Sequence, residues 1–408
     1  MRRVLPGIRA IVDGPRPATL LAVPHRLFFL AGVAALALDA AWWAWTICAR
    51  AGAVPPPPVA VLPTALHAFV MLYGFAPFFM FGFLFTAGPR WLGVAPPPPS
   101  AWRGPGLVAA VAALSFVPLQ ALPAIATQVA AALYALGWGT LLARFVVLIR
   151  QSPAPDRVHA TLVAVAMAAG LGGVVAFALV GAEAYAIVKL LGLWLFLLPV
   201  FVVVCHRMIP FFTSGVVPFV TAFRPGWLLA AMVAAPVAHG LLDAAGWARW
   251  TFVVDAPAAI LMLAVTIRWG FAPAFVNRLL AMLHVGFVWY AVGFALFAAS
   301  SLMQLAGGDG LGLAPLHALT IGFATSLLVA MVTRVSCGHT GRTLQADRVT
   351  WALFLLLQAA AVVRVAAELV PGRYAYAIAA ALFAASVIPW SVKYAPLYWR
   401  PRADGKPG

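Results

Sequence analysis

Charge is what this sequence has least of. Only 9% of its 408 residues are charged, and just 10 are Asp or Glu. A soluble globular domain carries about a quarter charged residues. With 64% of the residues hydrophobic, no soluble sphere of this length could hide its apolar surface, so lipid is the expected solvent for most of it. Cysteine is also scarce. Cys48, Cys205 and Cys337 form neither an even set nor a CxxC pair, which argues against a disulfide framework. Met1 to Pro24 is basic without an apolar core, so no cleavable signal peptide is expected. The formal net charge of +16 would suggest nucleic acid as a partner of a soluble protein. Here Lys and Arg stand singly at the ends of apolar segments, a membrane pattern, and no nucleic-acid binding is expected.

What the sequence does have is twelve apolar runs. They lie at roughly 26–48, 62–87, 105–121, 124–149, 158–181, 184–206, 226–242, 248–267, 277–303, 312–334, 349–369 and 374–394, each about the length needed to cross a bilayer as a helix. Helices are expected because lipid offers backbone groups no partners, and the runs are too long and too uniform for barrel strands. PPPP at 55–58 and 96–99, QSPAPD at 151–156 and AGGDG at 306–310 break the helices. No internal repeat is evident. The expected fold is an all-α polytopic bundle of about twelve transmembrane helices. It forms a single membrane domain over 1–408, with tails at 1–24 and 395–408.

Basic residues orient the bundle. Of the 26 Lys and Arg, 21 fall on the side that carries both termini. Only Arg50, Lys189, Arg249, Arg364 and Arg373 fall on the other. The imbalance places both termini in the cytoplasm.

That topology sorts the histidines by depth. His67 in the second run and His317 in the tenth each lie about five residues below the outer end, roughly 8 Å into the membrane. His239 is a third candidate at that level. An imidazole at such depth needs a partner, and two on facing helices can hold a haem iron from both sides. The alternative is a hydrogen bond from each to a neighbouring helix. Towards the inside, His206, His284 and His339, with Cys205 or Cys337, offer nitrogen and sulfur donors suited to copper. A buried cysteine, however, more often acts as a small hydrophobe. Asp39 and Asp255 fall within runs without an obvious partner. His25, His159 and Arg26 sit at boundaries and read as interfacial side chains.

LHALTIGFATSLLVAMVTRVSCGHTGRTL (316–344) closely resembles a signature block of the NnrS family of bacterial membrane proteins. HAFVMLYGFAPFFMFGFLFTAGPRWLG (67–93), MIPFFT (208–213), LHVGFVWYAVGF (283–294) and PHRLFFLAG (24–32) resemble further family blocks. The resemblance implies about twelve helices in the bacterial inner membrane, haem and copper as cofactors, and a link to denitrification and to protection from nitric oxide or nitrosative stress. Carried over by position, the block histidines are His67, His284, His317 and His339. Four positions depart from the family pattern. Phe69 and Val70 stand where many members have a second histidine and an acid, Cys337 where they have an apolar residue, and His206 where they have glycine. Within the signature block, Arg334 and Arg342 are candidates for holding haem propionates at the inner face.

The expected partners are membrane lipid and a small ligand such as nitric oxide. Asp39 and Asp255 alone do not make a proton path, so the sequence defines neither a reaction nor an electron donor. A transporter of haem, copper or a small anion is the alternative, since twelve helices with both termini inside is a common transporter plan. A distant relative of haem-copper oxidases is a third reading. It is weakened by the absence of the adjacent histidine pair and HxH spacing of those enzymes.

Overall fold

The structure, a computed structural model, describes residues 17–405 apart from positions 219, 371 and 373. Arg2, Arg3, Arg9, Arg16, Arg373 and Lys406 therefore lie outside the described residues. Twelve long helical segments run in chain order: α1 (Pro24–Arg50), α2 (Pro63–Thr86), α3 (Arg103–Ser115), α4 (Ala124–Gln151), α5 (Val158–Val180), α6 (185–214), α7 (Gly226–Ala244), α8 (Phe252–Arg268), α9 (Arg278–Leu305), α10 (Ala314–His339), α11 (Arg348–Leu369) and α12 (Ala375–Tyr394). Nine described helical stretches are long and apolar enough to cross a membrane. One of these, Val158–Ser214, is divided into α5 and α6 at Gly181, whose φ of +62° suits a residue without a side chain. No described residue is in a strand, as a chain solvated by lipid requires of an open bundle.

Three helices form the centre. α2 packs against both α6 and α10, and Phe201 of α6 lies 6.1 Å from Phe323 of α10. The other helices pack largely in chain order around them, and α12 closes the circle against α1. Burial agrees: 83% of the most apolar stretch of α2 and 72% of that of α10 are inside the protein, against 28% for the peripheral α11.

Close packing replaces the hydrophobic effect as the force between lipid-solvated helices, so small residues set the contacts. Phe79 of α2 fills the notch at Gly32 of α1, and Phe29 of α1 fills the notch at Gly82 of α2. A Cβ on either glycine would come within 2.7 Å of the facing ring. Gly137 of α4 similarly admits the backbone of α3, whose Pro105 carbonyl would lie 2.8 Å from a Cβ there.

The arginine-rich end is more tightly built than its sequence suggests. Arg26 and His25 read as interfacial, yet both are buried. Arg26 Nη1 donates to the carbonyls of Arg400 (2.7 Å) and Tyr398 (3.3 Å), and so pins the segment after α12 to the start of α1. His159 is buried too, 3.1 Å from His206. At the foot of α10, Gly341 turns the chain with φ +69°. Arg402 donates to the His339 carbonyl, and the Ala403 N–H to that of Thr340. The polar residues of CGHTGR thus receive the returning C-terminal segment.

Candidate cofactor cavity

All three central helices leave regular α geometry at one place each. α2 contains a π-helical segment at Val70–Gly74, α6 at Leu190–Leu197 and α10 at Ala318–Thr325. Each contains one glycine: Gly74, Gly192 and Gly322. None has room for a Cβ, which would meet Asp39, Tyr73 and Trp289 respectively. A π segment widens the turn and leaves carbonyls in need of donors, and such segments are frequent at functional sites. Here side chains supply several donors. Tyr134 Oη donates to the Tyr73 carbonyl (2.6 Å), and Tyr73 Oη to that of Val188, just ahead of the α6 segment (2.9 Å). Thr325 Oγ1 donates back five residues to the Thr320 carbonyl (2.9 Å). The sequence carried no sign of these segments beyond glycines in apolar runs.

The widened turns wall one cavity of about 610 Å³. Three of its polar side chains stand next to the segments' leading ends: His67 three residues before the first, Lys189 directly before the second, His317 directly before the third. Both imidazoles are half-buried. His317 Nδ1 lies 2.9 Å from the Leu313 carbonyl, to which it can donate only as the Nδ1–H tautomer, and that tautomer leaves an Nε2 lone pair open. The His67 ring lies flat on Trp43, with centroids 3.7 Å apart and an interplanar angle of 9°. Its Nδ1 is buried without a partner, so Nε2 is the open nitrogen. Arg50 covers the other face of this stack, 5.3 Å from the Trp43 ring.

Arg50, Lys189 and Arg364 line the same cavity, with Glu368 as the acid among them. Arg364 pairs with Glu368 (2.8 Å) and Lys189 with Asp243 (2.9 Å). The remaining lining is mainly aliphatic and aromatic. A large apolar space with a few convergent polar groups is the usual form of a cofactor site. The residues fit a flat apolar macrocycle with two carboxylates: two imidazoles with open nitrogens and three nearby cations.

The other predicted site residues lie elsewhere. Arg334 and Arg342 are not on this cavity; Arg334 covers the Phe212 ring at 3.9 Å and Arg342 is exposed. The cavity's cations come instead from the sparsely charged end. His206, His284 and His339 do not gather. His206 meets His159, His284 Nε2 lies 2.9 Å from Thr213 Oγ1, and His339 stacks on His25 at 4.4 Å. Each ring is occupied by a local neighbour. Among the described residues no group of three or more His, Cys, Asp or Glu side chains is placed to hold a metal. The structure thus does not bring the three expected inner copper ligands together. His239 is turned to Asp255 (2.7 Å), which gives that aspartate the partner its sequence did not reveal. Asp39 Oδ2 is buried without a partner beside Gly74.

Fold and cavity together define a polytopic helical membrane protein with paired imidazoles in a central space. Residues 19–402 match the family model described as "NnrS protein", and the chain belongs to the NnrS family. Comparison with curated proteins found no match.

Proposed function

We propose that this chain is a haem-binding NnrS-type protein of the bacterial inner membrane, and that its role lies in nitric oxide metabolism or protection from nitrosative stress. The single observation that supports this most is the placing of His67 and His317 on one cavity with open ring nitrogens. Bound there, a haem would supply an iron able to take a small uncharged ligand such as nitric oxide. The chain's residues would do the rest. The Leu313 carbonyl fixes the tautomer and tilt of His317. Trp43 holds the plane of His67. Arg50, Lys189 and Arg364 would receive the two carboxylates. The aliphatic and aromatic part of the lining would favour an uncharged ligand.

The test is an absorption spectrum of protein produced with ample haem, reduced with and without nitric oxide. A Soret band that shifts with nitric oxide is expected. His67→Ala and His317→Ala should each lose or reshape the band, whereas His284→Ala should keep it. No Soret band in the wild type, or unchanged spectra in both cavity variants, would remove the haem assignment.

A further inference from the structure

Beneath the histidine cavity lies a second space of about 90 Å³, between the same three central helices and the base of α9. Its walls include Val204 and Cys205 of α6, Leu283 of α9, and Met331 and Val332 of α10. The two spaces share three wall residues, one from each central helix: Ala76 of α2, Phe201 of α6 and Leu328 of α10. The two spaces therefore adjoin along the protein axis, parted by one side chain from each central helix.

The inner chamber is chemically unlike the outer. The Cys205 thiol is the one polar side-chain group in its lining. A cavity needs only about 10–15 Å³ to admit a water, but the water also needs two to four polar partners. Space is ample and partners are missing. Cavities of this kind stay dry and take up small apolar molecules such as xenon. We propose that the inner chamber is a binding site for small uncharged apolar molecules, of the size of xenon or a diatomic gas, placed in line with the histidine cavity beyond Ala76, Phe201 and Leu328. An ion would lose its hydration there without replacement. The assignment stands whether or not haem fills the outer cavity.

Crystals of the full chain pressurised with xenon test it. An anomalous peak bounded by Cys205, Leu283 and Val332 is expected in the wild type. Val332→Phe, which fills the chamber, should abolish that peak. Val204→Leu adds a single methylene, serves where the larger change disturbs folding, and should weaken the peak. No xenon in the wild-type chamber, continuous acyl-chain or detergent density within it, or a peak unchanged by both substitutions would overturn the assignment.

Discussion

Arg26 shows how one side chain can hold a chain end. Its guanidinium is buried and donates to two carbonyls of the C-terminal segment. A hydrogen bond to a charged group is worth about 1.5–3 kcal/mol. Arg26→Leu should release the segment after α12, and faster protease cleavage around residues 400–405 would report it. Asp347 is a second such residue. It caps α11 through the Thr350 N–H (2.8 Å) and pairs with Lys393 of α12. Partial burial alone would raise its pKa. The hydrogen bonds from Lys393 and Thr350 outweigh that and hold the carboxyl below its usual range. A group depressed in the folded state stabilises above its unfolded pKa, about 3.9, and loses that contribution as pH falls through the folded value. The ends of α11 and α12 should therefore loosen only below about pH 4, and hydrogen exchange across acid pH would show it. In Asp347→Ala that acid dependence should vanish, with about 1 kcal/mol of cap stabilisation lost at neutral pH.

Among the elements, the joint between α7 and α8 depends on a buried hydrogen bond between His239 and Asp255 (2.7 Å). The two are 3% and 0% exposed, so removing one partner leaves the other buried and unsatisfied, at about 1–3 kcal/mol. His239→Leu should lower thermal stability strongly. The double substitution with Asp255→Leu should recover most of the loss, since replacing both partners of a buried polar pair by apolar groups is nearly neutral. The central helices offer a different test. Gly322→Ala would drive a methyl into Trp289, whose Nε1 donates to Gln358 (2.9 Å). Overpacking of this kind costs about 1–3 kcal/mol. It should displace the α10 segment that carries His317, so haem retention should fall further than thermal stability does.

Across the whole molecule, the helices were far more legible than the site. Each of the twelve apolar runs contains a long described helix, because lipid forbids other backbone states, though α3 and α8 are shorter than a full span. His67 and His317, put at one level by the same arithmetic, do line one cavity. The π segments were not, because VMLYG and ALTIGFAT satisfy any apolar pattern whether the turn is regular or wide. Nor was the burial of Arg26 and His25. Position along a span gives depth but not azimuth, and these two face inward against the returning C-terminus. The pairing of His239 with Asp255 left a clue: the two residues lie at similar distances on either side of the short α7–α8 connection, as opposite positions of an antiparallel pair do. The sides of the cavity's cations were in the sequence as well. Arg50, Lys189 and Arg364 are among the few basic residues at the sparsely charged end, yet Arg334 and Arg342 drew attention because they sit in the signature block.

The partition between the two spaces has an electrical consequence. A charge crossing the molecule along its axis would have to shed its hydration beside Ala76, Phe201 and Leu328, which offer nothing in return. The three central helices therefore offer an ion no favourable passage between the two spaces at that level.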